Sequence, residues 1–595
     1  MPREELSSLK FATPHLRGEA CVRTAHGRVV SRIAESRASL RAPCALSMDS
    51  MDLGRSQKGQ PRAALAVAAI ALAVLAGGGC SNAASPKPGA SVSGSIGGNA
   101  AGAAAGTAGT GSPMSESGSG GGQGGGASGG ASGGASGGAG LSDGSAGAAS
   151  VADSLILPVR LRCELRDTPL GIQTAAPRLS WELQSSSADA RGQRQTSYEL
   201  LVASSSAALA ADRGDLFATG VVDSSESGLS YSGQALVSWT HAFWKVRVRD
   251  QQGKLSAWSA PAEFTIGLLS PSDWTAQWIA GGPGPALPLF RKEFSVTKPL
   301  QRALIAICGL GQYELRVNGT NPSDAVMEPT WTNYTKSCHY AVYDVTQLLA
   351  QGANALGVLL GNGMYNVPAN SRYTKFTGSF GAPKLIAQLH LDFSDGTSAS
   401  VGSDPTWRTA SGPITFSNIY GGEDFDARLE PNGWDRPGFN DSDWKAATPI
   451  AGVAPALVAR SAPPVKVMQE LSNAKVTQPA SGTFIYDLGQ NFAGWPELTV
   501  QGAAGTTVTI RPGELLTGDG LVSQVSSGSP VYFSYKLKGG GKEVWHPRFA
   551  YTGFRYLQVE GAVPAAQAAN FPGRPQVSSL NGEFIYTSAE NVGQF

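Results

Sequence analysis

GLGQYELRVNGTNPSDAVMEPTWTNYTKSCHYAVYDVTQLLAQGANALGVLLGNGMY, residues 309–365, is the stretch on which the fold turns. Gln312 to Val317 alternates apolar and polar as a strand does, and Asn318-Gly319 follows as a hairpin turn. His339 to Val345 alternates again, placing Tyr340 and Val342 on one face with Asp344 in step. Gln351-Gly352 breaks the chain, and Asn354 to Leu360 is an apolar run of buried-strand length. Short strands with polar turns between them predict a β-sandwich or jelly roll.

Working outward, 595 residues suffice for three or four domains. Lys and Arg number 46 against 45 Asp and Glu, a formal net charge of +1. That balance argues against nucleic acid and against an electrostatic preference for acidic membranes. The histidines (15, 26, 241, 339, 390 and 546) are scattered, and neither HExxH nor Cys-x-x-Cys occurs. A transition-metal site is therefore not indicated.

Residues 1–47 are Arg-rich without an apolar period and read as untranslated or, alternatively, as a disordered arm. From Met48 or Met51 the pattern is that of an export signal, residues 48–79. Arg55, Lys58 and Arg62 precede the apolar run Ala63–Ala76, which is too short to span a membrane. Gly77-Gly78-Gly79-Cys80 then offers a cleavage site at which acylated Cys80 would anchor the protein, although Gly77 stands where a lipoprotein signal usually has Leu. Ordinary cleavage near Ala83 and free secretion is the alternative. Residues 80–154 are almost wholly Gly, Ala and Ser, and cannot bury enough apolar surface to offset the entropy of ordering; they read as a flexible tether.

Everything after the tether reads as β. In 155–268, Arg178–Leu183, Ser197–Val202 and Phe243–Val248 alternate, and the run through Trp244, Asp250 and Ser256-Ala257-Trp258-Ser259 looks like the end of a fibronectin type III sandwich. Trp181 and Trp244 are read as core and not as sugar platforms; Trp258 stays open between the two. Residues 269–288 are a connector with a Gly/Pro hinge, and the jelly roll spans 289–464. Its cluster Glu423, Asp424, Asp426 resembles a catalytic pair in composition but reads as a solvated acidic turn, with Asp426 paired to Arg428. Residues 465–575 form a further β-sandwich. Cys163 falls in 155–268, and Cys308 and Cys338 in apparent strands of the jelly roll; a Cys308–Cys338 bridge and two buried free thiols are equally open.

The order of these motifs resembles the bacterial α-L-rhamnosidases of glycoside hydrolase family 78. The resemblance rests on Asn318-Gly319, Trp331-Thr332-Asn333-Tyr334, Tyr340 to Thr346 and Gly361 to Tyr365 in the jelly roll, and on Tyr420 to Arg428 and Gly433-Trp434 to Trp444 after them. It continues in Phe484 to Trp495, Thr507 to Leu516, Tyr535 to Gly539 and Trp545 to Tyr556. It implies a mainly β chain: a fibronectin III-like sandwich, a galactose-binding-like jelly roll and a large β-sandwich. Asp487, Glu514 and Arg555 are read as packing and turn residues able to face a neighbouring barrel. Residues 576–595 resemble the entry to the first helix of the family's (α/α)₆ barrel, with Ser588 as N-cap and the helix just after it. On this reading the sequence is truncated at that point.

In the family, inverting hydrolysis of terminal α-L-rhamnosides uses two carboxyl groups of the barrel. No position here matches them, so no catalytic residue is carried over. The implied function is that of an exported α-L-rhamnosidase acting on rhamnose-containing plant or bacterial glycans, located at the outer membrane through a lipid anchor, or else secreted or periplasmic. The alternative is a non-catalytic surface lipoprotein that binds carbohydrate. For either, the candidate sugar contacts are Asn318, Trp331, Tyr365 and Asn366, no cofactor is required, and the resemblance allows Ca²⁺ in the jelly roll. A fusion beginning at Met51 is expected to incorporate labelled palmitate, and Cys80→Ala to abolish the label; equal labelling of the two would remove the lipid anchor.

Overall fold

The computed structural model describes residues 154–282, 287–528 and 530–594. Residues 1–47, the leader at 48–79, Cys80 and the tether through 153 lie outside the described residues, as do hinge positions 283–286.

The first sandwich packs the sheet Ile156–Cys163, Arg178–Ser185, Gly228–Ser230 against one built on Gln195–Ala203, His241–Asp250 and Ala262–Thr265. Trp181 and Trp244 sit in its core, where Trp181 Nε1 donates to Gln195 Oε1 at 2.9 Å. An indole N–H in a core needs such a partner. Trp258 is half-buried and lies under two cations, Lys245 and Arg247, 5.0 and 4.4 Å from its ring centre. It braces the strand His241–Asp250 from outside.

The jelly roll packs a five-stranded sheet (Gln312–Val317, Gly352–Gly361, Pro288–Val296, Arg408–Ser411, Lys445–Ala446) on a seven-stranded one whose centre is Leu300–Leu310. Part of the connector joins it: Ile279–Ala280 is a strand, with Ile279 opposite Leu385. Ser337–Asp344 is buried on both faces, not one. Ala341 and Tyr343 point into the jelly-roll core, while Cys338, Tyr340 and Val342 pack outward against Leu268 at the end of the first sandwich and Trp274 and Trp278 of the connector. A strand covered on both sides loses the polar alternation. Cys163, Cys308 and Cys338 are buried free thiols. The register Ile307↔Ala341 puts Cys338 diagonal to Cys308 instead of opposite it, a poor starting geometry for a bridge.

The third unit is an eleven-stranded sheet, and the jelly roll lends it two strands from before 464. Ile414–Asn418 and Gly422–Asp426 leave the jelly roll and join this sheet, Asp424, Phe425 and Asp426 pairing in parallel with Ser534, Tyr535 and Lys536. The acidic cluster is thus a sheet strand and not a solvated turn; Glu423 is wholly buried. Asp426 does pair with Arg428, at 2.8 Å. One core then runs across both units, from Leu289, Leu359 and Trp434 to Phe484, Phe549 and Leu557. Gly361 permits this contact, because a Cβ there would stand 2.3 Å from the Phe549 ring.

Thr483–Gln501 is the longest strand and changes partners midway. Thr483 to Asp487 and Phe492 to Gly494 pair with Thr552–Glu560, and Gly494 onward pairs with Gln576–Thr587. The bulge between Asp487 and Phe492 contains Gly489 at φ +88°, a backbone that glycine adopts without penalty. Asp487 accepts from Arg555 in two parallel bonds of 2.7 and 2.9 Å and from Gly489 N, so this pair pins the bend. Beyond Thr587 the expected helix is not present: 588–594 has no regular structure, and Ser588 Oγ donates to Pro464 O. Seven residues are too few to repay helix nucleation unaided.

Arg291 shows how the jelly roll is closed. It is 1% exposed, donates from Nε to Trp434 O and from Nη2 to Arg436 O at 3.0 Å each, and meets Asp441. Its guanidinium thereby satisfies the carbonyls of the loop 434–441. Arg291→Leu leaves those carbonyls and a carboxylate without their donor, and is expected to cost about 3–5 kcal/mol, read as a lower urea midpoint for the β part of the chain.

Candidate functional site

The strand Gln312–Val317 has one polar face, Glu314 and Arg316, turned toward the large sandwich. Glu314 accepts from Arg316 at 2.8 Å and from Arg548 Nε at 3.0 Å, and Arg316 reaches Asp435 at 3.2 Å. Across the seam, Glu423 accepts from the backbone N–H groups of Arg548 (3.2 Å) and Phe549 (3.1 Å). Two carboxylates from different sheets are thus tied to one residue, Arg548. Burial pushes the Glu314 carboxyl up, but the guanidinium groups of Arg548 and Arg316 outweigh it and hold it at about 2. For Glu423 burial wins, and the carboxyl is raised to about 7 against the pull of Arg548 and the two N–H groups. Burial takes His546 down to about 4, with the Arg548 charge acting the same way.

Beside this network lies a cavity of about 240 Å³ between the strand Gln312–Val317, the loop 321–328, Trp495 and residues 546–549. Glu328 and Tyr343 also border it; Glu328 is held by Arg460, and Tyr343 OH lies 3.1 Å from Tyr313 OH. On the far side of Tyr343 a cleft of about 870 Å³ separates the first sandwich from the jelly roll. Arg162, Arg166, Arg460 and Lys466 line it together with Asp167, Asp344 and Glu590. Glu590 crosses one side of it, reaching Arg160 at 2.7 Å and Arg162 at 2.8 Å.

A carboxyl near 2 beside one near 7 has the electronic profile of a base and an acid. The geometry does not support that chemistry here. Glu423 is wholly buried, and its oxygens face backbone donors of the 548–549 turn. No room remains for a glycosidic oxygen. Its work is to fasten the two sheets.

The residues proposed from sequence lie elsewhere. Asn318 is in the hairpin turn at φ +50°, and its amide is fully engaged: Nδ2 donates to Leu348 O and Asn354 Oδ1, and Oδ1 accepts from Ala355 N, all at 2.8 Å. Trp331 is 45% exposed. Tyr365 is buried, donates to Phe380 O and accepts from Lys384 Nζ, both at 3.0 Å. Asn366 begins the short strand Asn366–Val367 in place of a free loop, and bonds Asn362 and Ser379. Tyr365 and Asn366 are neighbours, whereas Asn318 and Trp331 share no hydrogen bond or ring contact with them. Among the described residues no group of three or more His, Cys, Asp or Glu side chains is gathered for a metal ion, so no residue is assigned to calcium. Glu314, Arg548 and His546 were not singled out as a site. The signal was present in Glu314-x-Arg316 on an alternating strand and in His546-Pro547-Arg548, but which strands meet is not written locally.

Three family models match the chain in order. Residues 158–270 match a Rha78A-like N-terminal immunoglobulin domain, 298–469 an α-L-rhamnosidase N-terminal domain, and 477–586 a bacterial α-L-rhamnosidase concanavalin-like domain. The chain belongs to the bacterial α-L-rhamnosidase family. An α-L-rhamnosidase of Formosa agariphila is 32% identical over 469 residues, 72% of this chain and 48% of that protein. The structure of the α-L-rhamnosidase from Dictyoglumus thermophilum superimposes with a TM-score of 0.66 at 34% identity, covering 73% of this chain and 49% of that one. The Streptomyces avermitilis α-L-rhamnosidase, complexed with L-rhamnose, gives 0.67 at 28% identity, covering 73% and 58%. The chain spans about half the length of these rhamnosidases.

The raised carboxyl at the rhamnosidase seam has a measurable consequence. A carboxyl raised from 4.5 to about 7 on folding binds a proton that the unfolded chain releases. Stability from this group is full below about pH 4.5 and is lost as pH rises through 7. Glu583, raised to about 7 by burial, acts in the same sense. Glu423→Gln is expected to flatten this dependence by up to about 3 kcal/mol, read from thermal melts of both proteins at pH 5 and pH 8. Parallel curves would show that Glu423 is not protonated in the fold.

Proposed function

We propose that this chain is the accessory β part of an exported α-L-rhamnosidase that hydrolyses terminal α-L-rhamnosides of plant or bacterial glycans. The observation that carries the reading is the ordered match of three rhamnosidase domains over 158–586, on a fold that superimposes on solved rhamnosidases. Inverting hydrolysis needs an acid to protonate the leaving oxygen and a base to activate water on the opposite face of the sugar. The buried carboxylates of the seam do not offer such a pair: Glu314, Glu328 and Glu423 are each committed to arginine or backbone donors. By family resemblance the pair belongs to a helical barrel, with these sandwiches as its support. The Cys80 anchor belongs to the same proposal and would place the enzyme on an envelope surface.

The test is twofold. Purified residues 155–595 are expected to fold and to release no aryl alcohol from an aryl α-L-rhamnoside. A polypeptide joining them to the segment encoded beyond codon 595 is expected to hydrolyse it, with β-L-rhamnose appearing first by proton NMR. Turnover by 155–595 alone, surviving stringent purification, would place chemistry on the carboxylates denied it here. A stop codon directly after 595 with no such segment in any frame would remove the enzymatic reading.

A further inference from the structure

The chain that leaves the strand Gln576–Thr587 is held at two points. Ser588 gives both its backbone N–H and its hydroxyl to Pro464 O, at 2.9 Å each. Two residues on, Glu590 Oε2 accepts from Arg160 Nη2 at 2.7 Å and from Arg162 Nη2 at 2.8 Å. Both arginines belong to the first sandwich, 430 and 428 positions earlier in the sequence. Among the described residues, 589–594 form no other hydrogen bond or ion pair with the protein. Ser588, Ala589, Glu590 and Val592 border the cleft beside the first sandwich, not a packed core. A segment with neither regular structure nor a packed face is ordered only by its few side-chain contacts.

The receptor for Glu590 is built into a strained piece of strand. In Ile156–Cys163, Val159 pairs with Glu182 and Arg162 with Ser180, so Arg160 and Leu161 together oppose Trp181. This is a β-bulge, and it carries Arg160 at φ +49°, where an L side chain crowds its own backbone. Bulges re-aim side chains, and here two guanidinium groups converge on one carboxylate oxygen. Backbone strain of this kind gathers at working sites. Glu182, at 3.6 Å from Arg160 and 3.8 Å from Arg162, and Asp167, at 3.3 Å from Arg162, face the same fork. Those two carboxylates belong to the first sandwich itself, so the fork stays assembled whether or not Glu590 is in it.

We propose that Arg160 and Arg162 are positioning residues: a carboxylate clamp by which the first sandwich fixes the path of the chain just beyond the large sandwich, with residues 588–592 as its strap. Paired charge-assisted hydrogen bonds to one carboxylate give the contact a direction as well as strength. It is an electrostatic catch and not a packed joint. Arg160 and Glu590 are about half exposed, so salt screens the contact, with a Debye length of roughly 3 Å at 1 M. The consequence for catalysis rests on the rhamnosidase reading above: in such an enzyme the strap leads toward the catalytic part, and the first sandwich then sets how that part sits on the β units.

The test places one trifluoromethyl-phenylalanine at Val592, which is 88% exposed, in the full chain and reads its fluorine NMR linewidth. A held strap tumbles with the sandwiches and gives a broad line; a released one moves on its own and gives a narrow line. Glu590→Gln is expected to narrow the line several-fold, and Arg160→Gln with Arg162→Gln to do the same. Molar salt is expected to narrow the line of the parent chain and to leave that of Glu590→Gln unchanged. Arg160→Glu with Arg162→Glu is expected to release the strap, and Glu590→Arg added to that chain to restore the broad line. Glu590 sits on an exposed segment, so its variant decides the matter even where the arginine variants fold poorly. A line of the parent's width in Glu590→Gln overturns the proposal. So does a charge-reversed chain that melts like the parent and is not restored by Glu590→Arg. The readout is the order of the strap and not rhamnoside turnover, so the clamp and the rhamnosidase reading fail separately.

Discussion

Glu423 is carried by its strand to a place without water, and what it finds there are the backbone N–H groups of Arg548 and Phe549. A buried carboxyl without such donors would be costly to keep. The requirement therefore runs outward from it. The 548–549 turn must lie against the strand Gly422–Asp426, which brings the Arg548 side chain to Glu314 on the jelly roll. Phe549 must then lie over Gly361, where only a residue without a Cβ leaves room. A single turn so fixes two sheets at once, and the apolar core that runs from Leu289 to Leu557 closes around it.

The opposite treatment of Glu314 and Glu423 follows from their neighbours, not from depth. Glu314 is offered two guanidinium groups and remains charged; Glu423 is offered N–H dipoles and one shared cation and holds its proton to about neutral pH. Similar divergence in enzyme active sites separates an acid from a base. Here it separates an ion-pair anchor from a hydrogen-bonded one, which shows why a shifted carboxyl has to be read with its accessibility.

Period-2 alternation was enough to find Gln312–Val317, Arg178–Ser185 and His241–Asp250, because each has one face that meets its core and a second whose polar residues remain visible. The same signal failed where both faces are covered, as at Ser337–Asp344, since the outward residues Cys338 and Tyr340 pack on the connector. It failed again at Gly422–Asp426. Gly-Glu-Asp-Phe-Asp looks like a wet turn in any local window, and only its partners, Phe533–Lys536 from a hundred residues further on, make it a buried strand. The seam site was obscured for the same reason: Glu314, Glu328 and Arg548 are brought together by sheet docking over a separation of more than two hundred positions. Turn chemistry was legible at Asn318-Gly319, yet the amide read as a sugar contact is spent on Leu348, Asn354 and Ala355, a use that depends on where the return strand lies.

The two strands Ile414–Asn418 and Gly422–Asp426 belong to one sheet while their flanking chain belongs to another. That arrangement bears on how such a protein can descend. A genetic crossover at 464, where the sequence offers a joint between domains, would hand one parent's sheet a loan of strands shaped for the other's. Glu423 would then face a foreign turn. The jelly roll and the large sandwich are therefore expected to travel through evolution as one inherited cassette, whereas the first sandwich lends no strand to either.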